Sequence, residues 1–185
     1  VWHAHCVQLD QAAIEMFGRS KTGVAHCPCS NMRLGSGIAP IRKMLAAGVP
    51  VGLGVDGSAS NDSGNILHEA RAACLLARAR ERDPEAMPAR TALELATRGG
   101  AEVLGRGDIG HLAAGMSADF IAINLDRPQF AGAWDQVAAM ILCQTDGPDY
   151  SFINGRKVID QRRLVGVDVE RLVEKTGAAA RALAG

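Results

Sequence analysis

Up to about residue 104 the sequence alternates between short apolar runs and helical stretches, and each run closes on a polar residue. Val1 to Val7 reads as a buried strand. A helix then runs from Asp10 to about Arg19, with Asp10 as its N-cap and Ile14 and Phe17 at spaced apolar positions. Gly23 to Cys27 reads as a second strand ended by Pro28, followed by a polar, glycine-bearing loop from Cys29 to Gly37. Pro40 opens a helix through Ala47, closed by Gly48. A third strand, Val49 to Val55, tolerates Pro50 near its start and delivers Asp56 at its end. Helices are expected from Asn65 to about Arg80, with Ile66, Leu67, Ala70, Cys74 and Ala77 on one face, and from Ala89 to Leu104. Strands that each precede a helix predict a parallel α/β architecture.

Past Gly105 the texture changes to glycines, prolines and short extended runs at Ala118 to Leu125, Tyr150 to Ile153 and Lys157 to Ile159. Asn154-Gly155 is a strong hairpin signal between the last two. An amphipathic helix carrying Val169, Leu172, Val173, Ala180 and Leu183 closes the sequence. The expected division is therefore 1–104 as βα units and 105–185 as a β-rich segment with a closing helix. Twenty basic residues balance twenty acidic ones, which gives no field for nucleic acid or an anionic membrane. No apolar run approaches the length of a membrane span. Five scattered cysteines do not form a secreted disulfide framework, and a cytoplasmic setting is expected. The chain opens directly into strand-like sequence, as expected of one cut upstream of Val1.

His5, His26 and Asp56 each sit where a strand ends. In a βα-barrel those ends share one rim, so the three can converge. A carboxylate there can bind a metal and take a proton from water, and an imidazole can orient that water or polarise a substrate. The same positions equally suit two buried structural histidines and an aspartate that caps the next loop. His26-Cys27-Pro28-Cys29 has metal-binding residue types but no second pair at structural-zinc spacing. Gly52-Leu53-Gly54 lacks the dinucleotide-binding spacing, and Glu69 and Arg71 read as a solvated or packing pair.

Three segments carry more than spacing: Ala4-His5-Cys6-Val7; the stretch from Val24 to Pro40 containing His-Cys-Pro-Cys-Ser-Asn-Met-Arg-Leu-Gly-Ser-Gly; and Gly52 to Asn61 with Gly-Leu-Gly-Val-Asp-Gly-Ser-Ala-Ser-Asn. They resemble the sixth, seventh and eighth strands of the amidohydrolase superfamily, in its chlorohydrolase and deaminase branch. Gly115 to Phe120 and Ile153 to Arg156 resemble that branch's return into a β-sandwich and its closing hairpin. The resemblance implies the C-terminal part of a (β/α)8 TIM barrel followed by part of a composite β-sandwich. It implies Asp56 as metal ligand and proton-shuttling base, and His5 as the strand-six histidine that hydrogen-bonds the attacking oxygen or the substrate. Cys29, Asn31 and Arg33 become candidates for reading a substrate ring, with His26 at a neighbouring family position and Ser60 and Asn61 as rim architecture. Gln8 stands where the family usually has histidine, and His3 where it usually has an apolar residue, which bears on substrate choice or packing. The family's strand-one and strand-five histidines and the glutamate after the latter have no counterpart here.

The implied function is metal-dependent hydrolytic deamination of a nitrogen heterocycle, nearest to the 8-oxoguanine deaminases, with zinc as cofactor (iron or manganese also suit such a site) and ammonia as product. A hydrolase of S-adenosylhomocysteine or triazines, and a non-catalytic fragment or paralogue, are the alternatives. The expected partner is a small heterocycle, with no nucleic acid or membrane, and a homo-oligomer at full length. Unpaired strand edges in a partial barrel predict that the isolated chain is poorly soluble or dimerises, which sedimentation would show. A cooperative melt from a stable monomer would count against that expectation.

Overall fold

A computed structural model describes residues 1–143 and 146–185. Strands β1 (Trp2–Ala4), β2 (Gly23–His26) and β3 (Val51–Leu53) form a parallel sheet in the order β1-β2-β3. Ala4, Ala25 and Gly52 lie in one row across it. The ladder continues past the strands, with His5 N–H donating to Ala25 O and Gly54 N–H to His26 O, both at 2.9 Å.

Each strand is followed by helix. Helix α1 (Gln11–Ser20) starts as expected, the Asp10 carboxylate accepting from Ala13 N–H at 2.8 Å. Pro28 to Arg33 forms a helix, α2, where the sequence suggests loop. Pro28 ends β2, but at a first helical turn its missing N–H costs nothing and its fixed φ favours the helix. Helix α3 is Ile41–Ala46, and α4 is Ile66–Glu81, capped by Asn65 on Leu67 N–H. The last helix of this half runs from Ala89 to Leu104 as α5 (Ala89–Glu94), a π-helical turn (Leu95–Gly99) and α6 (Gly100–Leu104).

The core lies between the sheet and these helices, around Val24, Val51, Ile14, Met44, Leu67 and Leu95. Of the apolar face read on α4, Leu67, Ala70, Cys74 and Ala77 are buried. Beyond Gly105 a second, antiparallel sheet joins β4 (Phe120–Ala122), β5 (Tyr150–Ile153), β6 (Arg156–Asp160) and β7 (Arg163–Leu164). Phe120 and Phe152, paired across it, stack at 4.5 Å. Asn154 and Gly155 both take positive φ, which the two-residue hairpin turn requires.

A second helix, like α2, was not expected from the sequence. Helix α7 (Gln136–Leu142) is capped by Asp135 and brings Ile141 into the core beside α4 and α5. A seven-residue apolar run has no decisive period, and its helicity comes from the cap and from this packing. The closing helix α8 (Val169–Ala184) is amphipathic as expected, yet none of its residues is buried.

The helix carrying the π turn lies directly on β3. A Cβ added at Gly99 would stand 2.2 Å from Val51 O, and one at Gly52 would stand 2.8 Å from Gly100 Cα. Backbone cannot yield as a flexible side chain can, so only glycine fits at either contact. A Cβ at Gly100 itself meets nothing closer than 3.9 Å. We therefore expect Gly99→Ala to destabilise the protein by about 1–3 kcal/mol, and Gly100→Ala to gain about 0.5–1 kcal/mol as an ordinary helical substitution. Chemical denaturation of the two variants checks the contrast.

Candidate active site

The common end of β1, β2 and β3 gathers the polar groups. The strand ladder ends by turning the chain sharply: His5 and Cys6 have φ of 65° and 50°, and Asp56 has 62°. Left-handed backbone at residues other than glycine costs about 1 kcal/mol or more each, and it persists where surrounding bonds determine it. At Asp56 those bonds are on the carboxylate. Oδ2 accepts from Ser30 Oγ at 2.6 Å and from Ser60 Oγ at 3.0 Å, and Oδ1 accepts from Gly57 N–H at 2.8 Å. The Ser30 bond foremost, then those from Gly57 and Ser60, hold the Asp56 carboxyl below the usual carboxylate range.

His5 faces this carboxylate, its Nε2 3.6 Å from Asp56 Oδ2. Its other nitrogen, Nδ1, lies 2.9 Å from Asn31 Oδ1, to which it donates when protonated there. Asn31, on α2 and buried, thus holds the ring from behind. His5 and Asn31 also line an open groove of about 560 Å³ with Cys6, Val7, Gln8 and Leu34. Apolar walls with a few convergent polar groups are what a small planar ring requires.

The other expected ring-reading residues go elsewhere. Arg33 pairs with Asp62 at 2.7 Å on the exposed surface. Cys29 opens onto a different groove, of about 500 Å³ between α2 and α4, with Met32, His68, Arg71 and Leu75. Burial first, then the bond and charge of Glu69, push the Cys29 thiol up to about 12, so it carries no thiolate at neutral pH. His26 is 2% exposed and turns toward Ile38, Ala39, Ile41 and Ala73, on the helix side of the sheet. Strand alternation places it on the same face as the core residue Val24.

Two residues at the site went unread in the sequence. Ser30 gives no periodic signal and follows from α2 alone. Glu69, which with Arg71 reads in the sequence as a solvated or packing pair, is fully buried. Its oxygens accept from Cys29 N–H at 3.0 Å and Asn61 Nδ2 at 2.7 Å, while Arg71 donates to Leu142 O. Its position beside the apolar Ile66 and Ala70 on α4 was the available hint.

An ionised carboxylate and an imidazole are donor types that suit zinc, which takes three or four such protein ligands. Among the described residues, no group of three or more His, Cys, Asp and Glu could hold a metal. Asp56 and His5 therefore fit one flank of a metal centre and do not complete it.

Residues 1–159 match the amidohydrolase family. The chain belongs to that family. As an amidohydrolase chain it is 44% identical over 182 residues to the 8-oxoguanine deaminase of Pseudomonas aeruginosa, covering 98% of this chain and 40% of that protein. It is 43% identical to a 5-methylthioadenosine/S-adenosylhomocysteine deaminase of Pelotomaculum thermopropionicum, covering 92% and 40%. Its fold matches the zinc-complexed atrazine chlorohydrolase of Arthrobacter aurescens TC1 with a TM-score of 0.91 and 39% identity, over 96% of this chain and 40% of that one. The chain thus spans about 40% of the length of these relatives. Among the described residues no helix is long and apolar enough to cross a membrane.

The placement of His26 has a consequence for stability. Burial foremost, with His5 nearby, lowers its pKa from 6.5 to about 4. Between those values the unfolded chain takes up a proton that the folded chain refuses, so acidification through this window weakens the fold. A shift of this size is worth about 3 kcal/mol. Denaturant unfolding at the two ends of the window should show that loss, and His26→Gln should remove it.

Proposed function

We propose that this amidohydrolase chain supplies the base-bearing flank of a site that deaminates a nitrogen heterocycle by hydrolysis, with an oxopurine such as 8-oxoguanine as substrate. The observation that carries the reading is the Asp56 carboxylate, ionised, fixed by three hydrogen bonds and turned toward His5 at the end of a parallel sheet. Similarity to the 8-oxoguanine deaminase supports the substrate. The nearly equal identity to the 5-methylthioadenosine/S-adenosylhomocysteine deaminase makes an adenosine-type substrate the second reading. In this proposal β1, β2 and β3 are the sixth to eighth strands of a (β/α)8 barrel, and the sheet beyond residue 105 is a share of a flanking β-sandwich.

Asp56 would hold the divalent metal, zinc by likeness to relatives whose structures contain it, with His5 beside it. When bound, the metal supplies a more acidic water and a positive charge near the charge that develops on the ring. The chain's own residues do the remainder. Asp56 accepts the proton of the water as its oxygen bonds to the amino-bearing ring carbon. With its Nδ1–H donated to Asn31 Oδ1, His5 keeps Nε2 as an acceptor that takes a hydrogen bond from the attacking water and orients it, while Asn31 keeps the imidazole in place. The proton on Asp56 then passes to the amino nitrogen. The electron pair that the attack placed on the ring nitrogen re-forms the C=N bond as the exocyclic C–N bond breaks and ammonia leaves, and the remaining hydroxyl proton moves to that ring nitrogen to give the ring carbonyl. A carboxyl held below its usual range stays ionised at neutral pH and gives its proton up readily.

Ammonia release from 8-oxoguanine, guanine, cytosine, S-adenosylhomocysteine and a hydroxytriazine by the full-length protein tests this reading. We expect turnover of 8-oxoguanine that falls about 10²- to 10⁴-fold in Asp56→Asn. Turnover of another ring with the same dependence would replace the substrate and keep the chemistry. No turnover in a metal-loaded protein would reject it.

A further inference from the structure

We propose that Glu69 is a positioning residue for Asp56, acting through Asn61 on one side and Cys29 on the other; the inference rests on Asp56 being the proton acceptor. Glu69 lies inside α4 with no exposed surface, and among the described residues no Lys, Arg or His is within ion-pair distance of it. A buried carboxylate of this kind is expensive, and an apolar residue of similar volume would serve packing better. What the carboxylate does is hold two donors from separate segments.

The first arm runs to the backbone of Asp56. Asn61 Nδ2 donates to Glu69 Oε1 at 2.7 Å and to Val55 O at 2.6 Å. Both partners can only accept, so the orientation of the Asn61 amide is fixed by chemistry. Its oxygen accepts from Ser63 N–H at 3.2 Å. Val55 immediately precedes Asp56, whose left-handed φ needs just such over-determination. The second arm runs to the carboxylate. Glu69 Oε2 accepts from Cys29 N–H at 3.0 Å, and the next residue, Ser30, gives Asp56 its shortest hydrogen bond. One buried carboxylate therefore braces both the main chain that aims Asp56 and the serine that fixes its oxygens.

Two variants of the full-length protein test the brace. Glu69→Gln keeps the volume but turns an amide NH₂ toward one of two N–H donors, so one arm must break. Asn61→Ala cuts only the arm to Val55, and it keeps the test open if the first variant fails to fold. We expect each to lower kcat about 10- to 100-fold with KM changed less than about threefold. Crystal structures of the variants should show the Ser30 Oγ–Asp56 Oδ2 separation opened beyond about 3.5 Å or the Asp56 backbone relaxed. Asp56 geometry unchanged in both variants overturns the proposal whatever the kinetics, as does an unchanged kcat per folded molecule accompanied only by lower thermal stability. If the wild-type protein releases no ammonia from any ring, the deaminase reading falls, and the crystallographic comparison alone decides the role of Glu69.

Discussion

Parallel hydrogen bonding between β1, β2 and β3 sets Ala4, Ala25 and Gly52 in one row, so the residues that follow leave the sheet along one edge. His5 is the next residue on its strand, α2 with Ser30 and Asn31 begins just past β2, and Asp56 follows β3 after a short extension. A register slip on any strand would separate these groups and reverse which side chains face the core. The helix on the other side of β3 reinforces the register. Gly52 and Gly99 bring two backbones to a distance that no side chain permits, so β3 cannot slide without colliding with the π turn. The rim is in that sense a product of the sheet's far face.

The strands and most of the helices around them were legible because their signals are local and periodic: apolar runs of strand length, an aspartate before Gln11, glycine after the helices. Asn154-Gly155 named its hairpin for the same reason. Helix α2 was not legible, because six residues that begin with a proline and precede glycines satisfy loop chemistry as well as helix chemistry. Its consequences were lost with it. Ser30 and Asn31 meet Asp56 and His5 only if that segment coils. Glu69 escaped for a different reason: burial of a charged residue on a helix is decided by what packs there, and Cys29 and Asn61 come from other parts of the chain. Asp56 and His5 were visible as strand-end polar residues, but their roles came from resemblance to a family and not from spacing. The same resemblance made Arg33 a candidate for ring contact and gave His26 a neighbouring family position; in this structure Arg33 pairs with Asp62 and His26 lies against the helix layer.

The two carboxylates of the site illustrate how environment divides labour between like groups. Asp56 stands at the rim with hydroxyl and N–H donors on both oxygens and an imidazole in front of it. Glu69 is sealed behind it, holding N–H donors from Cys29 and Asn61 with no access to solvent. Groups that touch a substrate must be reachable and free to change protonation state. Groups that position them gain from the opposite surroundings, since a low dielectric strengthens each hydrogen bond they make.

Three hydrogen bonds on the carboxylate proposed as proton acceptor would at first weaken it, because each stabilises the ionised form and lowers its affinity for a proton. The magnitudes decide otherwise. Rates of proton abstraction vary with less than full sensitivity to base strength, so one pKa unit surrendered costs under about tenfold. A displacement of about 1 Å from the reacting geometry costs about 10²-fold. Orientation is therefore worth more than basicity at this position. Donors from Ser30, Ser60 and Gly57 that depress the Asp56 carboxyl while fixing both its oxygens are the arrangement this balance favours. The strained backbone at residue 56 fits the same logic, since a relaxed aspartate would swing its carboxylate away from His5.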